Sequence, residues 1–331
     1  MSEFRQNIAT KEWVVIAPER AKRPEDLVKK TEEKKELPDR VDKCPFCIGN
    51  ESMTPTPNFT VSNNGQWRTR VVPNKFSALQ PVLSPNRKKT GEFLKAEGYG
   101  IAEVVIETPK HNKSIAAMEI DEVIDVVITY KNRYMEISKN EKIDLITIFR
   151  NHGVKAGTSL EHPHSQIIAT PITPPNIRQQ VSQARLSYDT FGTCIYCDMI
   201  KEEIAQKDRV VIESEYFLVY EPFASRSPFE TRIIPKRHKS SFGNISDEEI
   251  ENFSRVLRII LRKIYKGLND PDYNYIIRSA PVEESNVKYY HWYVVIIPKI
   301  TIPAGFEIGT GIFINVIPPE NCTKYLKEVK E

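Results

Sequence analysis

The sequence lacks any apolar run near the roughly 20 residues that a membrane-spanning helix requires. Its first residues lack the apolar core of a signal peptide. Charge of one sign is not in excess either, because the formal net charge is only +3 across 331 residues. These absences predict a cytoplasmic protein that binds neither nucleic acid nor a membrane. Its length suits one large domain or two smaller ones.

Several common catalytic patterns are also missing. The chain has no Walker A loop and no His-Glu-x-x-His sequence, and no serine or cysteine nucleophile with a base partner is apparent. The sequence Gly309-Thr310-Gly311 is a weak glycine pattern, since it lacks a third glycine. Any enzymatic chemistry must therefore come from other residues.

Cysteine is scarce but patterned. Four of the five cysteines form two Cys-x-x-Cys pairs, Cys44 with Cys47 and Cys194 with Cys197. Disulfides are rare in a reducing compartment, so this spacing indicates zinc binding or redox chemistry. For one such pair taken alone, two buried thiols are the alternative. The presence of a second pair favours metal binding.

The chain repeats one order of elements after each cysteine pair. A strand is followed by a Pro-Lys sequence leading to a histidine, an amphipathic helix, a strand and a strand led by a histidine. Apolar residues at helical spacing predict the two helices over 120–137 and 247–266, the second with a capping box. The repetition predicts a duplicated α+β unit, with domains at 1–185 and 186–331.

Each half supplies two cysteines and two histidines, which make a complete tetrahedral ligand set for zinc. The two predicted sets are Cys44, Cys47, His111 and His162, and Cys194, Cys197, His238 and His291. Four protein ligands leave no open coordination position. We therefore expect two structural zinc ions per chain, neither acting as a Lewis acid.

The stretch 161–169 carries the most distinctive polar side chains. Pro163 argues against a helix here, and the apolar residues that follow indicate an extended strand. Residues two apart on a strand share a face, so His162, His164 and Gln166 are expected to point the same way. This arrangement indicates a reaction site, and a polar edge strand is the alternative.

The duplication separates the roles of these residues. His291 corresponds to His162, whereas Tyr293 corresponds to His164. His164 is therefore the histidine without a metal-binding role. A histidine can itself attack phosphorus to form a phosphoramidate, and Gln166 could donate hydrogen bonds to phosphate oxygens as charge develops.

Other polar residues are less specific. Arg20, Lys22 and Arg23 are cations suited to phosphate, with a solvated basic run as the alternative. His152 has no partner apparent in the sequence and is interpreted as a solvated loop residue.

At this point the residues resemble a known family. The sequence His162-Pro163-His164-Ser165-Gln166 is similar to the His-Pro-His-x-Gln active-site motif of galactose-1-phosphate uridylyltransferases, in the histidine-triad superfamily. Segments 13–16 and 20–24 resemble the family's N-terminal signature, and 44–47 resembles its zinc knuckle. The resemblance covers nearly the whole chain. It implies an α+β fold of two histidine-triad-like domains, each an antiparallel sheet with packed helices and a zinc site.

The resemblance also implies a double displacement. His164 would attack the α-phosphorus of a nucleotide sugar, and a sugar 1-phosphate would leave. The nucleotide would then pass to a second hexose 1-phosphate or to inorganic phosphate. The carbonyl of His162 would fix the tautomer of His164, and Gln166 would bind the α-phosphate. The resemblance further implies a homodimer and the substrate-binding residues Asn74, Asn151, Gly157, Ser159, Gly305, Phe306 and Glu307.

The second half favours a particular branch. Segments 269–275 and 305–311 resemble the plant ADP-glucose phosphorylase subgroup. The iron ligands of some bacterial uridylyltransferases would fall on Val295 and Ile297, so we expect no iron site. Uridylyl transfer between UDP-hexose and a hexose 1-phosphate is ranked first, and adenylyl transfer from ADP-glucose to phosphate is the alternative. The rival classes are a nucleotide hydrolase and a nucleotide-binding zinc scaffold without activity.

Overall fold

The computed structural model describes residues 1–20 and 37–330. Within these residues the strands are β1 (Glu3–Gln6), β2 (Trp13–Ile16), β3 (Phe59–Asn63), β4 (Gln66–Pro73), β5 (Arg87–Thr90), β6 (Phe93–Ala96), β7 (Ile101–Ile106), β8 (Leu145–His152), β9 (His164–Thr170), β10 (Val210–Glu213), β11 (Phe217–Tyr220), β12 (Thr231–Pro235), β13 (Tyr273–Arg278), β14 (Tyr293–Pro298) and β15 (Phe313–Asn315). The helices are α1 (Ile120–Ile137), α2 (Pro175–Phe191), α3 (Ile195–Gln206), α4 (Asp247–Gly267), α5 (Gly305–Thr310) and α6 (Pro319–Glu328).

A ten-stranded antiparallel sheet organises the molecule, in the order β10-β11-β12-β14-β13-β8-β9-β7-β4-β3. Read outward from the central β13–β8 pair, the two sides match strand for strand: β14 matches β9, β12 matches β7, and β11 matches β4. This symmetry agrees with the predicted duplication, and the α+β fold is confirmed. The division at 185/186 stays a prediction; it falls inside α2 (Pro175–Phe191).

One face of the sheet is covered by α1 and α4. The two helices bury apolar residues at helical spacing, among them Val123 and Val127 of α1 and Phe253 and Ile260 of α4, against strand residues such as Ile167. Helix α4 begins at the expected capping box, because Ser246 and the side chain of Glu249 satisfy each other's backbone N–H groups. Both predicted long helices are therefore present.

The opposite face differs between the halves. On the C-terminal side, α2 and α3 cover the sheet with Ile177, Val181 and Tyr196. On the N-terminal side, the Cys-x-x-Cys turn packs Phe46 against Val72, Val104 and Ile106, and open clefts remain beside it. A small separate sheet, β1-β2-β15, joins the beginning of the chain to its end.

Candidate functional site

The first predicted metal set is brought together. Cys44, Cys47, His111 and His162 are buried, and one ligand atom from each lies within 4.8 Å of the others. The Nδ1 atoms of His111 and His162 lie 3.5 and 3.6 Å from the sulfur of Cys47. Two of the ligands come from a turn, one from the loop after β7 and one from the residues just before β9.

The surroundings of this cluster suit a metal. The Nε2–H of His162 donates to the carbonyl of Thr108 at 2.8 Å, which leaves Nδ1 unprotonated and facing the sulfurs. Burial lowers the pKa of His162 to about 4, so its imidazole is neutral at physiological pH. Burial also raises the pKa of the Cys44 thiol, and a thiolate there needs a bound cation. The donor set fits zinc, which would hold these four residues together and supply no chemistry of its own.

The second predicted set is gathered in part. Cys194, Cys197 and His238 form a cluster of three ligand atoms, and the Nδ1 of His238 lies 3.4 Å from the sulfur of Cys197. A hydrogen bond from Cys197 lowers the pKa of the Cys194 thiol to about 5 and raises that of Cys197. Cys194 is the N-cap residue of α3, so the predicted turn is the start of a helix.

His291 lies beside this cluster and outside it. Its ring centre is 5.3 Å from that of His238, with the rings at 77°, and the pair His111–His162 has the same separation, at 78°. The Nδ1–H of His291 donates to the carbonyl of Trp292 at 3.0 Å, while its buried Nε2 has no hydrogen-bond partner among the described residues. A buried nitrogen without a hydrogen-bond partner is suited to metal binding, and the assignment of His291 stays a prediction.

Strand β9 begins at His164, so His162 lies just before the strand and not on it as expected. The Nδ1–H of His164 donates to the carbonyl of His162 at 2.8 Å, the contact expected from the sequence. Its other nitrogen, Nε2, therefore carries the lone pair. Burial lowers the pKa of His164, which favours the neutral imidazole that a nucleophile requires. Phe46 packs its ring edgewise against this imidazole at 5.5 Å.

Two clefts meet at His164. The larger, about 440 Å³, is lined by apolar side chains such as Phe46 and Val72 and by polar ones. The smaller, about 200 Å³, lies at the ends of β8 and β9 and includes Asn151 and Thr158. A nitrogen with a free lone pair at the junction of two clefts, each lined by both apolar and polar side chains, suits a substrate with a nucleoside at one end and phosphates in the middle.

The structure brings together the three predicted catalytic residues and several of the predicted substrate-binding residues. Asn74, Ser159, His164 and Gln166 line the larger cleft, and His162 and Asn151 line the smaller one with His164. Gly157 closes the loop between them in a left-handed conformation, with φ +91°. Lys75 also lines the larger cleft, and as an isolated lysine it gave no signal in the sequence.

Other predicted substrate residues lie elsewhere. Arg20 is exposed at the end of a 3₁₀ turn and lines neither cleft. Lys22 and Arg23 lie outside the described residues. Gly305, Phe306 and Glu307 form the first turn of the short, largely exposed helix α5, and they too line neither cleft within this chain.

The interpretation of His152 as a solvated loop residue is wrong. His152 ends β8, and its Nε2 lies 2.7 Å from a carboxylate oxygen of Asp270. Its ring stacks on Tyr273, with centres 4.7 Å apart. The partner is 118 positions away in the sequence. No local pattern could reveal it, and only the pairing of β8 with β13 brings the two residues together.

Comparison with known proteins agrees with this geometry. Residues 1–174 match the family described as galactose-1-phosphate uridyl transferase, N-terminal domain. Residues 108–330 match a domain of unknown function. No described helix has the length and apolar character to cross a membrane.

Two curated relatives are similar over almost their whole length. An ADP-glucose phosphorylase of Arabidopsis thaliana is 36% identical over 99% of this chain and 93% of its own. A galactose-1-phosphate uridylyltransferase of Thermotoga maritima is 32% identical over 100% of this chain and 99% of its own. The solved structure of an ADP-glucose phosphorylase from Arabidopsis thaliana with bound ADP-glucose superposes with a TM-score of 0.85, at 33% identity and with 100% of both chains covered.

Proposed function

This chain belongs to the galactose-1-phosphate uridylyltransferase family, and we propose that it transfers UMP between UDP-hexose and a hexose 1-phosphate through a nucleotidyl-histidine at His164. The observation that carries the proposal is the hydrogen bond from Nδ1 of His164 to the carbonyl of His162. This bond aims an unprotonated Nε2 at the junction of the two clefts.

The first half-reaction forms one bond and breaks one. Nε2 of His164 attacks the α-phosphorus of the nucleotide sugar, and the bond from that phosphorus to the bridging oxygen breaks, so that a sugar 1-phosphate leaves. In the second half-reaction an acceptor phosphate oxygen attacks the same phosphorus, and the P–N bond breaks. Gln166 and Ser159, which line the cleft beside His164, donate hydrogen bonds to the α-phosphate oxygens as charge develops there.

The alternative, adenylyl transfer from ADP-glucose to inorganic phosphate, has its own support. The relative with 36% identity carries the name ADP-glucose phosphorylase, and the superposed structure of that type contains ADP-glucose. Both reactions use the same nucleophile and differ in the base and the acceptor. The larger cleft must decide between uracil and adenine.

The decisive experiment is intact-protein mass spectrometry at neutral pH after brief mixing with UDP-glucose or ADP-glucose, because a phosphoramidate is labile in acid. A uridylyl adduct that is lost in His164→Ala supports the main proposal. An adenylyl adduct supports the alternative. A hydrolase would instead release nucleotide without any added phosphate acceptor, and the absence of both adducts would refute the covalent mechanism for these donors.

The remaining expectations are part of the same proposal. We expect about two zinc ions per chain by metal analysis; iron, or no metal, would refute the ligand sets. The unpaired cysteines suit a reducing compartment such as the cytoplasm. We also expect a homodimer, since Phe306 is half exposed and lies outside both clefts of its own chain. Light scattering that shows only a monomer would contradict this.

A further inference from the structure

Segment 270–274, from the C-terminal half of the chain, holds the loop that connects the two clefts. The loop runs over 151–159, from the end of β8 to Ser159. Asp272 accepts a hydrogen bond from the backbone N–H of Lys155 at 2.6 Å. Gly153 has φ +83°, and a Cβ placed there would meet the carboxylate of Asp272 at 2.1 Å. Loop and segment are therefore fitted closely to each other.

Asn274 makes the central contacts. Its side-chain NH₂ donates one hydrogen bond to the carbonyl of Ala156 at 2.9 Å and another to Oδ1 of Asn151 at 2.8 Å. The same group thus ties the beginning of the loop to its middle. Asn274 and Asn151 are directly opposite each other in the pairing of β13 with β8, which places their side chains within contact distance.

The direction of these bonds follows from chemistry. A backbone carbonyl can only accept a hydrogen bond, so the group that Asn274 turns toward Ala156 must be its NH₂. That NH₂ then requires an acceptor from Asn151, which presents Oδ1. The NH₂ of Asn151 is consequently the end that remains to donate elsewhere, and Asn151 lines the smaller cleft together with His164.

We propose that Asn274 is a positioning residue: it fixes the orientation of the Asn151 amide so that this amide presents N–H donors, and not a carbonyl oxygen, to the phosphates of the substrate. The proposal rests on the proposed function, which places phosphates at this cleft. With the amide reversed, a carbonyl dipole would face an anion and repel it.

The test compares two substitutions of Asn274. In Asn274→Asp the size is kept, but an ionised carboxylate only accepts hydrogen bonds. It must repel the Ala156 carbonyl and attract the NH₂ of Asn151, which reverses that amide. Asn274→Ala removes both hydrogen bonds but does not force the Asn151 amide into the reversed orientation. We expect Asn274→Asp to weaken nucleotide-sugar binding and to lower kcat/KM by about 10- to 100-fold, and Asn274→Ala to have a smaller effect.

Asn244 provides a matched control. Its NH₂ also donates to one backbone carbonyl, that of Ser285, and to one asparagine oxygen, that of Asn286, both at 2.9 Å. It lines neither cleft. Asn244→Asp should lower the melting temperature but leave kcat/KM unchanged in enzyme that is still folded.

The readouts are the dissociation constants of UDP-glucose and ADP-glucose by calorimetry, kcat and KM separately, and the melting temperature of each variant. A purely structural role predicts that loss of activity follows loss of stability, with Asn274→Ala no better than Asn274→Asp. That result would overturn the proposal. If the unmodified enzyme binds nucleotide sugar but forms no adduct at His164, the proposed function fails. The dissociation constants of Asn274→Asp and Asn274→Ala, compared with that of the unmodified enzyme, still decide the role of Asn274.

Discussion

The two halves of the sheet have the same strand order but differ in whether the surface beside the matching strands β9 and β14 is open or covered. In the N-terminal half, His164 stands on β9 at the junction of two clefts. At the corresponding position of β14 stands Tyr293, which stacks on Tyr196 of α3 with ring centres 6.0 Å apart. The guanidinium of Arg232 lies over the same Tyr293 ring at 5.2 Å. A surface that is open in one half is a packed core in the other.

The features that the two halves share differ from those found in one half alone. Both halves have a Cys-x-x-Cys pair with histidine close to it, namely His111 and His162 in the first half and His238 in the second. Only the N-terminal half has a histidine at the position of His164 and an amide, Gln166, two residues later; the C-terminal half has Tyr293 and Val295 there. The Cys and His clusters are thus common to the two halves, whereas the sheet surface beside His164 stays open and the matching surface is covered by α2 and α3.

The largest expected effect tests this contrast directly. His164→Ala should abolish transfer, with a loss of about 10⁴-fold or more in kcat, because the nucleophile is removed. It should leave metal content unchanged. Tyr293→Phe, the matched change in the other half, should retain full turnover. The measurement is steady-state kinetics with UDP-glucose and ADP-glucose. Turnover in His164→Ala, or equal losses in the two variants, would contradict the assignment of the nucleophile to the N-terminal half.

The second effect separates the two metal clusters. Cys47→Ser and Cys197→Ser should each lower the zinc content from about two ions per chain to about one, and each should lower the melting temperature. Only Cys47→Ser should also reduce kcat in folded enzyme, because Cys47 contacts His162, whose carbonyl orients His164. Elemental analysis and kinetics on the same samples check this. An equal loss of kcat in both would show that the second cluster serves catalysis too.

The features that the sequence could predict are those with a local or repeated signature. Helix α4 is predicted by its apolar stripe and by a capping box at Ser246. The predicted metal ligands and His164 lie at fixed spacings within short motifs. The duplication distinguishes the residues that both halves share from His164, which occurs in one half. The matching of strands on the two sides of the central β13–β8 pair agrees with that duplication.

What the sequence could not predict depends on distant partners. Helix α2 is mostly polar, with a narrow apolar stripe that includes Ile177 and Val181, so its helical pattern is weak. The ends of β8 and β13 meet through strand pairing alone, and this places Asp270 against His152 and Asn274 against Asn151. The residues of α5 form a recognisable motif, yet they lie outside the clefts. A sequence motif identifies residues but does not show where the fold places them.

The third effect concerns the amide beside the nucleophile. Gln166→Glu should lower kcat by about 100-fold, because a carboxylate would face the phosphate oxygens that the amide stabilises. Gln166→Ala should lower it less, since it removes donors without adding a negative charge. Both variants should keep their metal. The corresponding residue of β14 is Val295, which is buried, so the amide is a feature of the open half alone. A Gln166→Ala variant as slow as Gln166→Glu would argue against charge as the cause.

The smallest expected effect concerns the seam between the two halves, which is the pairing of β8 with β13 and the side chains at its end. The pair formed by His152 and Asp270 spans 2.7 Å, and both side chains are mostly buried. Asp270→Asn keeps an acceptor for His152 but removes the charge, so it should lower the free energy of unfolding by about 1 kcal/mol. Glu251→Gln removes the charge of an exposed pair with Arg255 on α4, at 2.6 Å, and should change it by less than about 0.5 kcal/mol.

Urea unfolding of the two variants at the same pH measures this difference. Because the seam lies next to the loop over 151–159, Asp270→Asn should also raise KM modestly, whereas Glu251→Gln should not. Equal stabilities would mean that the seam pair is no stronger than a surface pair. The two halves would then be joined by the backbone pairing of β8 with β13 and by apolar packing, without a contribution from this charge.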